Sequence, residues 1–166
     1  MIKSEVDKEI DFSHSKMIIL GEDILGEDLQ ETIDWFIRRR DIQKIAWIAV
    51  GSPGVEEILK LKPKSESLPA NALFLSFGRT GTESAYIITE YLFDLRKRLT
   101  EKGLDTVLPV IEANDFQTYK INSSIVLNKE GKITKLQPEE TKVLNILLNR
   151  ADKLEAQPSF MIFVSS

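Results

Sequence analysis

Three places in this chain gather residue types that could do chemistry. The run Gly51, Ser52, Pro53, Gly54 lies between an apolar stretch and a helical pattern, a setting in which backbone amides can cradle a phosphate. It has neither the lysine and hydroxyl of a P-loop nor the GxGxxG spacing of a dinucleotide site, so the plainer reading is a tight turn with proline at a helix start. His14, the sole histidine, stands between Ser13 and Ser15. A base and a nucleophile must meet in space with a third group orienting the base, and neighbours at a strand start point apart, which favours a structural or capping histidine. The carboxylates Glu22, Asp23, Glu27, Asp28 and Glu31 cluster around another helix start. They could offer oxygens to a divalent cation, but they lack EF-hand spacing, and acidic residues in a first turn complement the helix dipole unaided. On this reading no catalytic, cofactor-binding or metal-binding residue is assigned. The competing reading is a small α/β ligand-binding or enzymatic domain using the Gly51–Gly54 turn or the acidic cluster near Glu22.

The same helix ends in Arg38, Arg39 and Arg40, cations that suit its negative terminus. They form either a solvated face or an intramolecular partner for the acidic residues. Trp35 and Trp47 each sit inside an apolar element and are expected in the core; an exposed tryptophan would instead mark an interface anchor.

The elements that must position these residues follow from periodicity. Ile2, Val6 and Ile10 recur every four residues, as at the end of an amphipathic helix. "KMIIL" reads as a buried strand stopped by Gly21. Leu25, Leu29, Ile33, Phe36 and Ile37 then line one helical face. "KIAWIAVG" is a second strand with both faces covered, and "VEEILKL" opens another helix after Pro53 and Gly54. Between Lys62 and Thr82 a long connection holds a short helix at "ANALFLSF". Ile87, Tyr91, Leu95 and Leu99 predict a helix of about four turns capped by Gly103. "DTVLPVIEA" is a strand whose Pro109 lacks an amide donor, which suits an edge or a bulge. "INSSIVLN", the turn "KEG" and "KITKL" form a hairpin with Gly131 at positive φ. A last helix begins at Pro138, with Glu139 and Glu140 in its first turn and Val143, Leu144, Leu147 and Leu148 as its buried stripe. "SFMIFV" closes as a strand. The fold class is therefore α+β, a mixed sheet flanked by amphipathic helices and followed by a smaller hairpin-plus-helix unit. A boundary is expected near Asn114–Thr118, giving a first domain over 1–116 and a second over 117–166.

Composition narrows the function classes. A chain of 166 residues that is 42% hydrophobic and 29% charged can bury a core. A net charge of −4 supplies no field to attract nucleic acid or an anionic membrane. Without cysteine there is no disulfide, thiolate nucleophile or zinc ribbon. The opening "MIKSEVDKEIDFSHSK" lacks the apolar run of a secretory signal or a membrane span.

Taken in order, these segments resemble the Ger(x)C family, which supplies the C subunit of spore germinant receptors. Ser13 to Leu25 matches the family's serine or glycine plus histidine before a strand of the "LKVIVIGEELA" type, and "IDWFIRRRD" matches its helix ending in Arg-Asp. "KIAWIAVG" matches its apolar strand with tryptophan, and "VEEILKLKP" its "AKEVLEVKP" helix. Leu108 and Pro109 match "PVLPRIE", and "SSIVLNKEGKITKLQPEETKVLNILLN" matches the strand, turn, strand and acidic helix start of the second domain. The resemblance runs from about Val6 to Lys153. It implies a noncatalytic lipoprotein subunit on the outer surface of the inner spore membrane, beside membrane-embedded A- and B-type subunits, acting by protein contact in nutrient-triggered germination. It implies no cofactor, metal or nucleic acid. The family's signal peptide, lipobox cysteine, first strands and large C-terminal domain have no counterpart here, so the chain is expected to be an internal piece of the pattern. An unpaired sheet edge would then invite self-association. Contacts are expected at edge strands and around the Lys62–Thr82 connection.

Overall fold

A computed structural model describes residues 12, 14–26, 28–60, 69–78, 85–114 and 118–155. The helix end expected at Ile2–Ile10, the closing strand at "SFMIFV" and most of the connection around the short helix lie outside these residues.

Short apolar runs build the sheet. Met17–Gly21 (β1), Trp47–Ser52 (β2), Thr106–Ala113 (β3), Tyr119–Leu127 (β4) and Ile133–Leu136 (β5) lie side by side in chain order. β1, β2 and β3 run parallel, whereas β3–β4 and β4–β5 are antiparallel. This is the expected mixed sheet with its hairpin. Helices intervene at Leu29–Arg38 (α1), Val55–Leu59 (α2), Pro69–Gly78 (α3) and Leu92–Thr100 (α4), and Pro138–Glu155 (α5) follows β5. The boundary expected at 114–118 falls between β3 and β4, which pair within this sheet.

Strand alternation sorts the core onto two faces. Ile18, Leu20, Ile48, Val50, Leu108 and Val110 join Leu29 and Ile33 of α1 and Leu92 and Leu95 of α4 in the larger cluster. Ala49, Ile111 and Ile121 join Ile58 of α2 and Leu73 and Phe77 of α3 in the smaller one. The parallel strands are thus covered on both sides, which is why their sequences are apolar at nearly every position. Leu25 is buried as expected, but in a 3-10 turn at Glu22–Leu25 ahead of α1.

Three expectations need correction. Pro109 lies in β3, the central strand, and not on an edge. The ladder to β2 starts only at Val110, and a bulge between Val110 and Glu112 shifts the pairing to β4, so the proline precedes both.

The predicted four-turn helix begins only at Leu92. The residues before it run extended along the start of β2, where β3 does not reach: the Ile48 amide donates to the Glu90 carbonyl at 2.9 Å, and the Leu92 amide to the Ala46 carbonyl at 2.9 Å. Tyr91 bridges Trp47 there. β2's free amides and carbonyls overrode the four-residue period of Ile87 and Tyr91. Glu90 is buried in this stretch and accepts from Arg98 Nε at 2.9 Å. Gly103 does take positive φ (83°), although α4 has already ended at Glu101 in extended backbone.

α5 is turned partly off its expected face: Leu144 and Leu148 are partly buried, but Val143 is 57% and Leu147 59% exposed. Thr141 is buried instead, its hydroxyl 3.1 Å from that of Ser124 on β4. One turn on, the Asn145 amide donates to the carbonyls of Ala85 (3.0 Å) and Ile87 (3.1 Å). A buried hydroxyl and open carbonyls cost more unpaired than two aliphatic side chains cost in water, so the polar pair faces inward. The hairpin turn behaves as predicted: Gly131 has φ 81°, and Asn128 Oδ1 accepts the amides of Glu130 and Lys132 at 3.0 and 2.8 Å. From that turn Lys129 reaches the carbonyls of Arg98 and Leu99 at the end of α4, where helix carbonyls lack internal partners.

Candidate functional site

α1 carries the surface feature that folding does not explain. Leu29 and Ile33 are buried, with Phe36 and Ile37 packed against the same cluster. Trp35 lies two residues beyond Ile33, about 200° around the helix, and is 51% exposed. The core position expected for it is therefore wrong. The helical wheel carried the signal: Leu29, Ile33 and Ile37 recur at four, and Trp35 falls opposite them.

The Trp35 ring is held on its helix by close neighbours. Phe36 meets it edge-on with centroids 5.0 Å apart and planes at 80°. The Arg39 guanidinium stands 5.1 Å from the Trp35 ring and 4.9 Å from that of Phe12, in the range of cation–π attraction. Arg39 is itself fixed by Asp41, through Nε–Oδ1 at 2.9 Å and Nη2–Oδ2 at 2.5 Å. The hydrogen-bonding Arg39 side chain holds the Asp41 carboxyl below its ordinary range. The arginine of this run thus pairs within its own loop.

A shallow cleft opens on each side of the indole. One, of about 470 Å³, is lined by Gln30, Glu31, Asp34, Trp35 and Arg38. The other, of about 590 Å³, is lined by Ile24, Asp28, Glu31, Thr32, Trp35 and Phe36. Asp34 accepts from Arg96 Nε at 3.0 Å, tying α1 to α4 beneath the first cleft. The result is an aromatic ridge with carboxylates from Asp28 and Glu31 on its rim. Such a surface suits a partner that brings apolar knobs and cations, since interface anchors concentrate in tryptophan and rim charges steer approach.

The other groups singled out in the sequence do not converge. Gly51 and Ser52 end β2, the Ser52–Pro53 bond is cis, and Gly54 precedes α2. A Cβ on Gly51 would sit 3.1 Å from Ile19 Cγ2 and 3.4 Å from Val55 Cα, so this glycine lets the chain pack where β1, β2 and α2 meet. Glu22 and Asp23 lie in the 3-10 turn, and Asp28 and Glu31 lie at the start of α1; Glu27 is outside the described residues. Among the described residues no three acidic or imidazole groups assemble as a metal would require. His14 is exposed in a turn closed by the Ser15 amide on the Phe12 carbonyl at 2.9 Å; Ser13 is not described. Trp47 is partly buried against the smaller cluster. No helix among the described residues is long and apolar enough to cross a membrane.

Comparison with known proteins matches this arrangement to a family. The YfkR protein of Bacillus subtilis (strain 168), provisionally named for spore germination, is 23% identical over 168 residues. The match covers 97% of this chain, and the chain spans 41% of that relative's length. No solved structure matches. The family model for the spore germination protein N-terminal domain matches residues 1–113, up to the end of β3, and the chain belongs to this Ger(x)C-type spore germination family.

Proposed function

We propose that this chain is a noncatalytic subunit of a spore germinant receptor that works by protein–protein contact. It would act on the outer surface of the inner spore membrane, beside the membrane-embedded A- and B-type subunits. The observation that carries the contact mode is the half-exposed Trp35, presented on a well-packed helix between two clefts with a carboxylate rim. A large aromatic left half in water at that position contributes less to folding than a buried one, whereas at an interface it can serve as a binding anchor. β1 supports the same mode: it is an edge of the described sheet, and its sequence MIILG has no charge or proline to blunt strand addition. With a net charge of −4, nucleic acid is not among the proposed partners.

The test is made in the spore-forming host. Spores lacking the gene should respond more slowly to nutrient, measured as loss of optical density, and the wild-type gene should restore the rate. Trp35→Ala, accumulated to the same level, should not restore it, and should no longer co-purify from detergent-solubilised spore membranes with the A- and B-type subunits. Full rescue and normal co-purification by Trp35→Ala would remove α1 from the proposal. Wild-type germination of the deletion strain on every nutrient tried would count against the receptor role.

A further inference from the structure

A second aromatic site lies at the amino ends of the parallel strands, where β1 and β2 begin. Lys16, Gln43, Ile45, Trp47, Phe74 and Tyr91 line a cavity of about 390 Å³, within the volume range of small-molecule sites. Three different parts of the fold build it: the entry to β1 and β2, helix α3, and the extended stretch before α4. Trp47 has Phe74 at 5.0 Å between centroids, and Tyr91 at 6.1 Å with planes only 18° apart. Phe93 continues the stack beyond Tyr91 at 6.3 Å.

One cation stands at the mouth of this cavity. Trp47 Nε1 is buried away from solvent, so the indole offers the cavity its ring and not its N–H. Lys16 Nζ stands 4.5 Å from the centre of the Phe74 ring and makes no ion pair among the described residues. One ligand chemistry pairs with that cation while covering the aromatic wall. We infer that this cavity binds a planar apolar group bearing a carboxylate: the ring packs against the wall formed by Trp47, Phe74 and Tyr91, and the carboxylate pairs with Lys16. A positive charge alone would not favour an aromatic ligand, and aromatic walls alone would not favour an acid. The site is independent of the contact proposed for α1.

The source of that chemistry is either a free aromatic acid or the C-terminal aromatic residue of a peptide. The test titrates the ¹⁵N-labelled chain with 3-phenylpropionate, 3-phenylpropionamide and the free-acid peptide Ac-Gly-Gly-Phe, following the two indole resonances by NMR. Trp35→Phe serves only to assign them. The acid should saturate with a Kd of about 1 mM, as expected for so small a ligand, and should shift the Trp47 resonance through the ring placed against the indole, with little effect on Trp35. The amide should bind at least about fivefold more weakly, given the strength of a charge-assisted contact. Lys16→Met, which keeps the stem over Phe74, should reduce acid binding to the amide's level. Tighter binding of the peptide than of the free acid would identify a chain terminus as the natural ligand, and the reverse a metabolite. Equal binding of acid and amide, no effect of Lys16→Met in a chain with wild-type spectral dispersion, or no saturation of either acid by about 10 mM would overturn the assignment.

Discussion

Truncating Trp35 should disturb the fold clearly less than truncating a buried residue of the same helix, and the size of the difference is the sharpest check on its assignment to an interface. Its side chain is 51% exposed while Ile33, on the other side of the same helix, is fully buried. A tryptophan can bury roughly 200 Å², so about 100 Å² is removed from water here, at most ~2.5 kcal/mol at 25 cal/mol/Å². The compactness of the unfolded chain lowers that figure by 10–40%, and alanine's better helix propensity returns about half a kcal/mol. Adding about 0.5 kcal/mol for the Arg39 contact leaves Trp35→Ala destabilising by about 2 kcal/mol. Ile33→Ala opens a cavity in the larger core cluster and should destabilise by about 3.5 kcal/mol. Urea unfolding followed by far-ultraviolet circular dichroism measures both without relying on the removed fluorophore, and the slopes should match that of the wild type. A Trp35→Ala loss equal to that of Ile33→Ala would mean that the indole is structural, and the case for an anchor would fail.

The turn between β2 and α2 gives a second check. Gly51→Ala places a methyl 3.1 Å from Ile19 Cγ2 and 3.4 Å from the Val55 backbone; the overpacking outweighs the gain in chain stiffness and should lower stability by about 1 kcal/mol, or Tm by about 3 °C. Gly54→Ala meets open space and should change Tm by less than about 1 °C; the opposite order would refute a packing role for this turn. Asp41, whose carboxyl is held low by Arg39, should titrate below the ordinary range of about 3.9 in a carbon-detected NMR titration. Because the folded value is the lower one, its contribution to stability is complete above the unfolded value and disappears as pH falls through the folded one. Arg39→Gln should return Asp41 to the ordinary range, and an unchanged titration would show that the pair does not form in solution.

Much of the fold was legible because its signals are local. The β1 and β2 runs, the Leu29–Ile37 stripe and the Asn128–Gly131 turn each depend on neighbours within a few residues, so propensity and period suffice. The three misreadings of the fold itself involve partners distant in sequence. Ile87 and Tyr91 carry a helical period, but unpaired backbone at the start of β2 draws the chain into extended form. Val143 and Leu147 look like core, but Ser124 and the carbonyls of Ala85 and Ile87 call for Thr141 and Asn145 instead. Pro109 tolerates a central strand because the β2 ladder begins just after it. At the candidate site the sequence named both tryptophans but ranked them alike. The wheel position of Trp35 was readable, whereas the Trp47 cavity required α3 and the 87–91 stretch to be placed first.

The topology also bears on where this protein can meet other molecules. Open α/β sheets bind ligands beyond the carboxyl ends of their strands, in the crevice formed where strand order reverses. The described strands follow one another in chain order, so no reversal opens such a crevice among them. The carboxyl ends of β1 and β2 are packed tightly as well. A Cβ on Gly51 would press on Ile19 and Val55, and one on Gly21 would lie 2.2 Å from an Asp23 side-chain oxygen. The large aromatics left partly in water stand elsewhere, Trp35 on the outer face of α1 and Phe93 beside the cavity at the amino ends of the strands. The two aromatic surfaces, on the outer face of α1 and at the amino ends of β1 and β2, are where the proposed recognition by contact would take place.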